Sequence, residues 1–184
     1  SATTGDSIDF GDCNVTTGRR DHAAFSSPTR GIAAGGVDNP GAFQNGCEYI
    51  TISSKGNGTD FGELLNKARG QKGMSNSTRG IVMGGYTPAR LNVIQFITIA
   101  STGNAIYFGD LTSRRSSIAA GGCSNQIRGI CAGGYEDPSG GNVNTVDYIT
   151  ITSVGDAIDF GDLSAESWSQ AAACSDSHGG LGGF

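Results

Sequence analysis

The sequence predicts an all-β fold, a β-propeller of four-stranded antiparallel blades, and three observations carry that reading. Glycine supplies 31 of 184 residues, well above the roughly 7% of average usage, so tight turns and close backbone packing are needed throughout. The phrase RGIAAGGV from Arg30 recurs as RGIVMGGY from Arg79, as RGICAGGY from Arg128 and, degenerately, as SHGGLGGF from Ser177; the first glycine of each pair falls at Gly35, Gly84, Gly133 and Gly182, a period of 49. Two further markers keep the same order. EYITI, QFITI and DYITI place Tyr49, Phe96 and Tyr148; IDFGD, TDFGE, IYFGD and IDFGD place Phe10, Phe61, Phe108 and Phe160. A period of about 40 to 50 residues with four short strands per unit is the signature of propeller blades.

Each element follows from local composition, most clearly in the unit 79–127. Strand one is the small apolar run Ile81 to Gly85, expected innermost, where small residues fit beside a crowded channel. Strand two, Val93 to Ile99, is β-branched and aromatic. With Ile97 and Ile99 on one face and Phe96 on the other, it should be buried on both sides, inside a stack of sheets. The turn signal Ser101-Thr102-Gly103-Asn104 separates it from strand three, Ala105 to Leu111, and a small-residue strand four runs from Ser117 to Gly121. The Phe and Tyr markers are expected buried in equivalent places between blades.

Composition excludes several classes. Net charge is −5, with 12 basic and 17 acidic residues and no basic stripe, which disfavours a nucleic-acid groove. No apolar run approaches the roughly 18 residues of a membrane span, and no signal peptide heads the sequence. Its start at Ser1 rather than Met reads as a processed product or a piece of a longer protein. Cys13, Cys47, Cys123, Cys131 and Cys174 lack metal-ligand spacing, so they read as small, mostly buried apolar residues in a reducing compartment. The sequons at Asn14, Asn57 and Asn76 read as chance in a Ser/Thr/Asn-rich chain.

A strand ending in Gly-Gly-Tyr, a hydrophobic second strand, an aromatic closing strand three and an Arg before a small-residue fourth strand resemble kelch repeats. In the unit from Ile81, Gly84, Gly85 and Tyr86 match the double-glycine motif, while Phe108 stands where kelch repeats usually carry Trp. The phrases ITIASTGNAIYFGDLT and RGIVMGGY are similar to kelch-like repeats in structural and tail-fibre proteins of marine phages, particularly cyanophages. The resemblance covers essentially the whole chain. It implies a non-enzymatic virion component, a tail fibre or surface appendage assembled in the host cytoplasm, which binds other virion proteins or a host cell-surface glycan. A carbohydrate-binding propeller of cellular origin is the alternative reading, and a hydrolase or oxidase the third.

The repeats divide the chain into a partial blade at 1–29 (strands three and four), blades at 30–78, 79–127 and 128–176, and a first strand of a further or closing blade at 177–184. That count leaves three arrangements open: an unusually small ring, part of a larger propeller, or a homo-oligomer in which copies assemble.

Loop lengths point to the binding face. Strand-two aromatic and strand-three Phe are 12 residues apart in every unit, whereas the second Gly and the strand-two aromatic are 13, 11 and 14 apart. The variable one-to-two loops share an end with the three-to-four loops because strands alternate in direction. This face would carry Tyr86, Arg90, Tyr135, Glu136, Asp137, Arg114, Arg115 and Trp168, joined by Asp38, Asn39, Phe43, Gln44, Arg19, Arg20 and Glu166. Exposed Tyr, Trp and Arg suit sugar or protein contacts. The spaced carboxylates Asp6, Asp9, Asp12 and Asp156, Asp159, Asp162, with Asn57, Asp60 and Glu63, read as hairpin hydrogen bonding rather than a metal site. His22 and His178 form no triad and no hydrolase or zinc motif is present, so neither catalytic residue nor cofactor is expected.

Overall fold

In the computed structural model, residues 5–14, 18–117, 123–137 and 140–167 are described. All regular structure among them is β, in three four-stranded antiparallel sheets and two two-stranded ones. The chain enters through β1 (Arg19–Arg20) and builds the first sheet from β2 (Ala23–Ser26), β3 (Arg30–Ala34), β5 (Gly46–Thr51) and β6 (Thr59–Glu63), with β4 (Val37–Asp38) in the β3–β5 loop. The second sheet holds β7 (Lys72–Ser75), β8 (Arg79–Met83), β9 (Val93–Thr98) and β10 (Ile106–Asp110). After β11 (Arg114–Ser116), the third holds β12 (Cys123–Ser124), β13 (Arg128–Ala132), β15 (Val143–Thr150) and β16 (Ile158–Ser167), with β14 (Tyr135–Asp137) in its β13–β15 loop. Each sheet is thus a meander that takes strand four of one sequence unit as the edge beside strands one to three of the next.

That grouping corrects the expected order. The glycine-ended strands β3, β8 and β13 are second in their sheets; the edges turned toward neighbouring sheets are β2, β7 and β12, with β7 lying against both others. Ser75 Oγ donates to the Ser26 carbonyl at 2.7 Å and Ser124 Oγ to the Ser75 carbonyl at 2.7 Å. The strand four expected at 117–121 falls almost wholly outside the described residues. Ser117 is a turn residue at φ 51°, and the third-sheet edge is Cys123–Ser124; residues 118–122 lie outside the described set. The Gly-Gly pairs are buried. They follow the strand at φ 66° and 96° (Gly35, Gly36), 60° and 114° (Gly84, Gly85) and 64° and 111° (Gly133, Gly134), a region side chains disfavour.

The second sheet is buried on both faces, as the doubly apolar strand two demands. Ile81, Met83, Ile94 and Phe96 join Cys131, Ile149 and Ile151 of the third sheet in one core; Val82, Ile97 and Ile99 join Phe25, Ile32 and Phe61 of the first in another. Glycine lets the sheets close. A Cβ on Gly80 would overlap the Phe25 ring, and one on Gly129 the Met74 sulfur.

Guanidinium groups and turns complete the joints. Arg30 Nη1 donates to the Ile99 carbonyl at 2.8 Å and Arg79 Nη1 to the Ile151 carbonyl at 3.0 Å, each cation also lying over its own sheet's aromatic, Tyr49 at 4.4 Å and Phe96 at 4.7 Å. The constant hairpins dock on the preceding outer strand: Gly103 N donates to the Phe61 carbonyl at 2.7 Å and Gly155 N to the Phe108 carbonyl at 2.8 Å. Asn104 and Asp156 act there, accepting from Glu63 N at 3.0 Å and Asp110 N at 2.9 Å. Their carboxylate and amide oxygens therefore serve hairpin hydrogen bonding across sheets. Asp9 and Asp159 instead accept locally, from Gly11 N and Gly161 N.

The equivalent burial expected of the markers holds only inside the stack. Phe61 and Phe108 are 2% and 3% exposed, and each meets its strand-two aromatic edge-on at about 6 Å. Phe160 keeps that contact with Tyr148 but is 57% exposed, and Phe10 is partly exposed, because among the described residues no following sheet covers the first and no complete sheet of its own backs the second.

Candidate binding cleft

The variable loops meet across the joints. β11 pairs antiparallel with β14, joining Arg114 to Asp137, Arg115 to Glu136 and Ser116 to Tyr135; β1 pairs likewise with β4, and Tyr86 bridges to both Arg69 and Arg90. Three-to-four connections thus zip onto the one-to-two loop of the following sheet. Between these zippers lies a cleft of about 870 Å³ whose lining includes Arg69, Gln71, Tyr86, Arg90, Tyr135 and Asp137.

Arg90 organises its rim. Its Nη1 lies 2.5 Å from Asp137 Oδ1, its backbone N–H donates to Asp137 Oδ2 at 3.1 Å, and its guanidinium stacks 4.1 Å from the Tyr135 ring centre and 5.6 Å from that of Tyr86. Arg69 covers the Tyr86 ring at 5.4 Å, and Phe43 meets it edge-on at 6.1 Å. The backbone N–H of Arg90, then its side chain and charge, hold the Asp137 carboxyl below its ordinary range against some desolvation. Tyr135 Oη donates to the Gly140 carbonyl at 2.5 Å, fixing the ring. These are flat apolar faces with a preset cationic donor, suited to stacking and directed hydrogen bonds.

Gln71 lies at the base of the cleft. It is 1% exposed, and neither its Oε1 nor its Nε2 has a hydrogen-bond partner. A buried amide left unmatched costs about 1 to 3 kcal/mol.

Of the residues expected on this face, Tyr86, Arg90, Tyr135 and Asp137 line the cleft. Glu136 is half-buried in the β11–β14 ladder and Arg114 is exposed beside it. Arg115 corrects the expectation of an exposed cation. It is fully buried, donating to Asp147, to the Thr145 carbonyl at 3.0 Å and to the Gly133 carbonyl at 3.3 Å. Burial follows from strand alternation: Arg114 and Arg115 point to opposite sides of β11, and only one side is wet. Trp168 lies outside the described residues. Sequence reading passed over Arg69 and Gln71; the signal available was their place in the three-to-four connection, in register with Arg20 and His22 one period earlier.

Among the described residues no three His, Cys, Asp or Glu side chains converge as a metal site. No family model matches the chain, and no curated protein matches it either.

Proposed function

We propose that this protein is a non-enzymatic binding module, a segment of a kelch-like propeller in a phage tail fibre or surface appendage, that recognises a host cell-surface glycan through the Arg90–Tyr135 cleft. The carrying observation is a cleft lined by two tyrosine rings, two guanidinium groups and the residue Gln71, whose buried amide is unpaired. Tyrosine faces stack on the apolar faces of sugar rings, arginine donates to hydroxyl or carboxylate oxygens, and a bare amide matches a pair of sugar hydroxyls. The phage setting rests on the sequence resemblance, and the propeller on the repeat and on sheets that stack at matching edges. A glycan array tests recognition, with binding expected for the full chain and loss on Gln71→Leu and Tyr135→Ala. Mass spectrometry of purified particles tests the setting: absence from virions would contradict it.

A further inference from the structure

The joint between successive sheets is built twice from the same parts, and each end of the stack presents half of it. On the third sheet, Phe160 is 57% exposed where Phe61 and Phe108 are buried. No hairpin among the described residues bonds to its backbone as Gly103 and Gly155 bond to Phe61 and Phe108. Arg128 sits over Tyr148 at 4.9 Å, as Arg30 and Arg79 sit over Tyr49 and Phe96, yet it is exposed and its guanidinium reaches no carbonyl among the described residues.

The first sheet presents the complement. Ile52 is 46% exposed where Ile99 and Ile151, whose carbonyls receive Arg30 and Arg79, are 1% and 0%. A Cβ on Gly31 would meet only Ile50 of its own sheet, whereas Gly80 and Gly129 are filled by side chains of the preceding sheet. Around Gly31 lies an open apolar hollow of about 620 Å³.

The hairpin that should dock on a preceding sheet, Gly56 to Gly58, is held by Phe10 to Asp12: Gly56 N donates to the Phe10 carbonyl at 2.9 Å and Gly58 N to the Asp12 carbonyl at 2.8 Å. Those residues lie in Ile8-Asp9-Phe10-Gly11-Asp12, identical to Ile158-Asp159-Phe160-Gly161-Asp162. The first copy of the motif is exposed except for half-buried Phe10 and lies in no described strand; the second is laddered into β16.

We propose that two copies of this chain join head to tail, the third sheet of each seating on the first sheet of the other, and close a ring of six sheets. At each junction residues 158–162 displace the identical residues 8–12 from the 56–58 hairpin, Arg128 reaches the Ile52 carbonyl, and the hollow over Gly31 is filled. Six sheets lie within the usual 4 to 8 of propellers. Because both halves come from one joint, the fit is heterologous and the two junctions are equivalent.

Sedimentation of the full chain tests this. The expected species has twice the 18.7 kDa of one chain. Phe160→Asp and Ile52→Lys, on opposite ends, should each weaken the pair by about thirtyfold or more while the circular dichroism melt persists. Mixing the two variants should restore dimers, since one junction then joins two intact faces. Arg128→Glu, on an exposed side chain, repeats the test should either substitution unfold the chain. A monomer at every concentration, an open ladder of oligomers, a pair indifferent to these substitutions, or a mixture that stays monomeric would each overturn the proposal.

Discussion

Arg115 and Asp147 form an ion pair fully closed to solvent, the guanidinium of one donating to the carboxylate of the other. The first sheet repeats it as Arg19 and Glu48, 3.4 Å apart and nearly buried. In the second sheet Ala68 holds the arginine position, since its carbonyl accepts from Gly36 N as that of Arg115 accepts from Gly85 N. There the acid is replaced as well: Gln95, 1% exposed, stands before Phe96 as Glu48 and Asp147 stand before their tyrosines. Charge is removed from both members together, because a buried charge without its partner is costly.

Arg115→Ala alone should therefore destabilise the chain by about 3 to 5 kcal/mol, leaving Asp147 buried and unpaired. The double change Arg115→Ala with Asp147→Gln, which copies the second sheet, should recover most of that loss. Urea denaturation of the three proteins checks it.

Position in the stack should decide what a marker ring is worth. Phe108→Ala should cost about 3 to 5 kcal/mol, as for a fully packed ring. Phe160→Ala, at a site 57% exposed, should cost a small fraction of that in dilute solution, measured by thermal unfolding.

Burial pushes the Cys47 and Cys131 thiols up to about 12. At neutral or mildly basic pH both remain protonated, and the thiolate is the reactive form. Iodoacetamide at pH 8 should label exposed Cys13 in the native chain and leave Cys47 and Cys131 until it is unfolded, as peptide mass mapping would show.

The depressed Asp137 carboxyl gives the cleft an acid limit. A carboxyl lowered in the folded state contributes its pairing above the ordinary carboxylate range and loses it as pH falls through the lowered value. The Arg90–Asp137 contact should thus persist through mildly acidic pH and open only below the ordinary range, visible as a late carboxyl titration by NMR.

Much of the sheet architecture was legible because period-two burial and turn chemistry are local: the alternation Phe96, Ile97 predicted a strand buried on both faces, and Gly103-Asn104 predicted the hairpin. The grouping of strands was not, since a strand's partner depends on contacts that cross the unit boundary, as Ser75 to Ser26 does. In the cleft, Tyr86, Arg90 and Tyr135 were readable from loop variability. Arg115 was misread because one residue of register decides whether a cation on β11 faces water or Asp147. Gln71 carries no motif; its isolation is a property of what surrounds it.

The claim that the Arg90–Tyr135 face recognises the ligand is tested most directly by binding of the full chain to isolated host envelope, comparing Arg90→Glu with Val154→Lys at the opposite hairpin end, where Val154 is 58% exposed. Val154→Lys should fold with little loss, since exposed changes usually cost within about 0.5 kcal/mol; Arg90→Glu gives up its Asp137 pair, and a circular dichroism melt checks that it remains folded. The account predicts that Arg90→Glu abolishes binding and Val154→Lys leaves it intact; undiminished binding by Arg90→Glu, with loss in Val154→Lys, would contradict it.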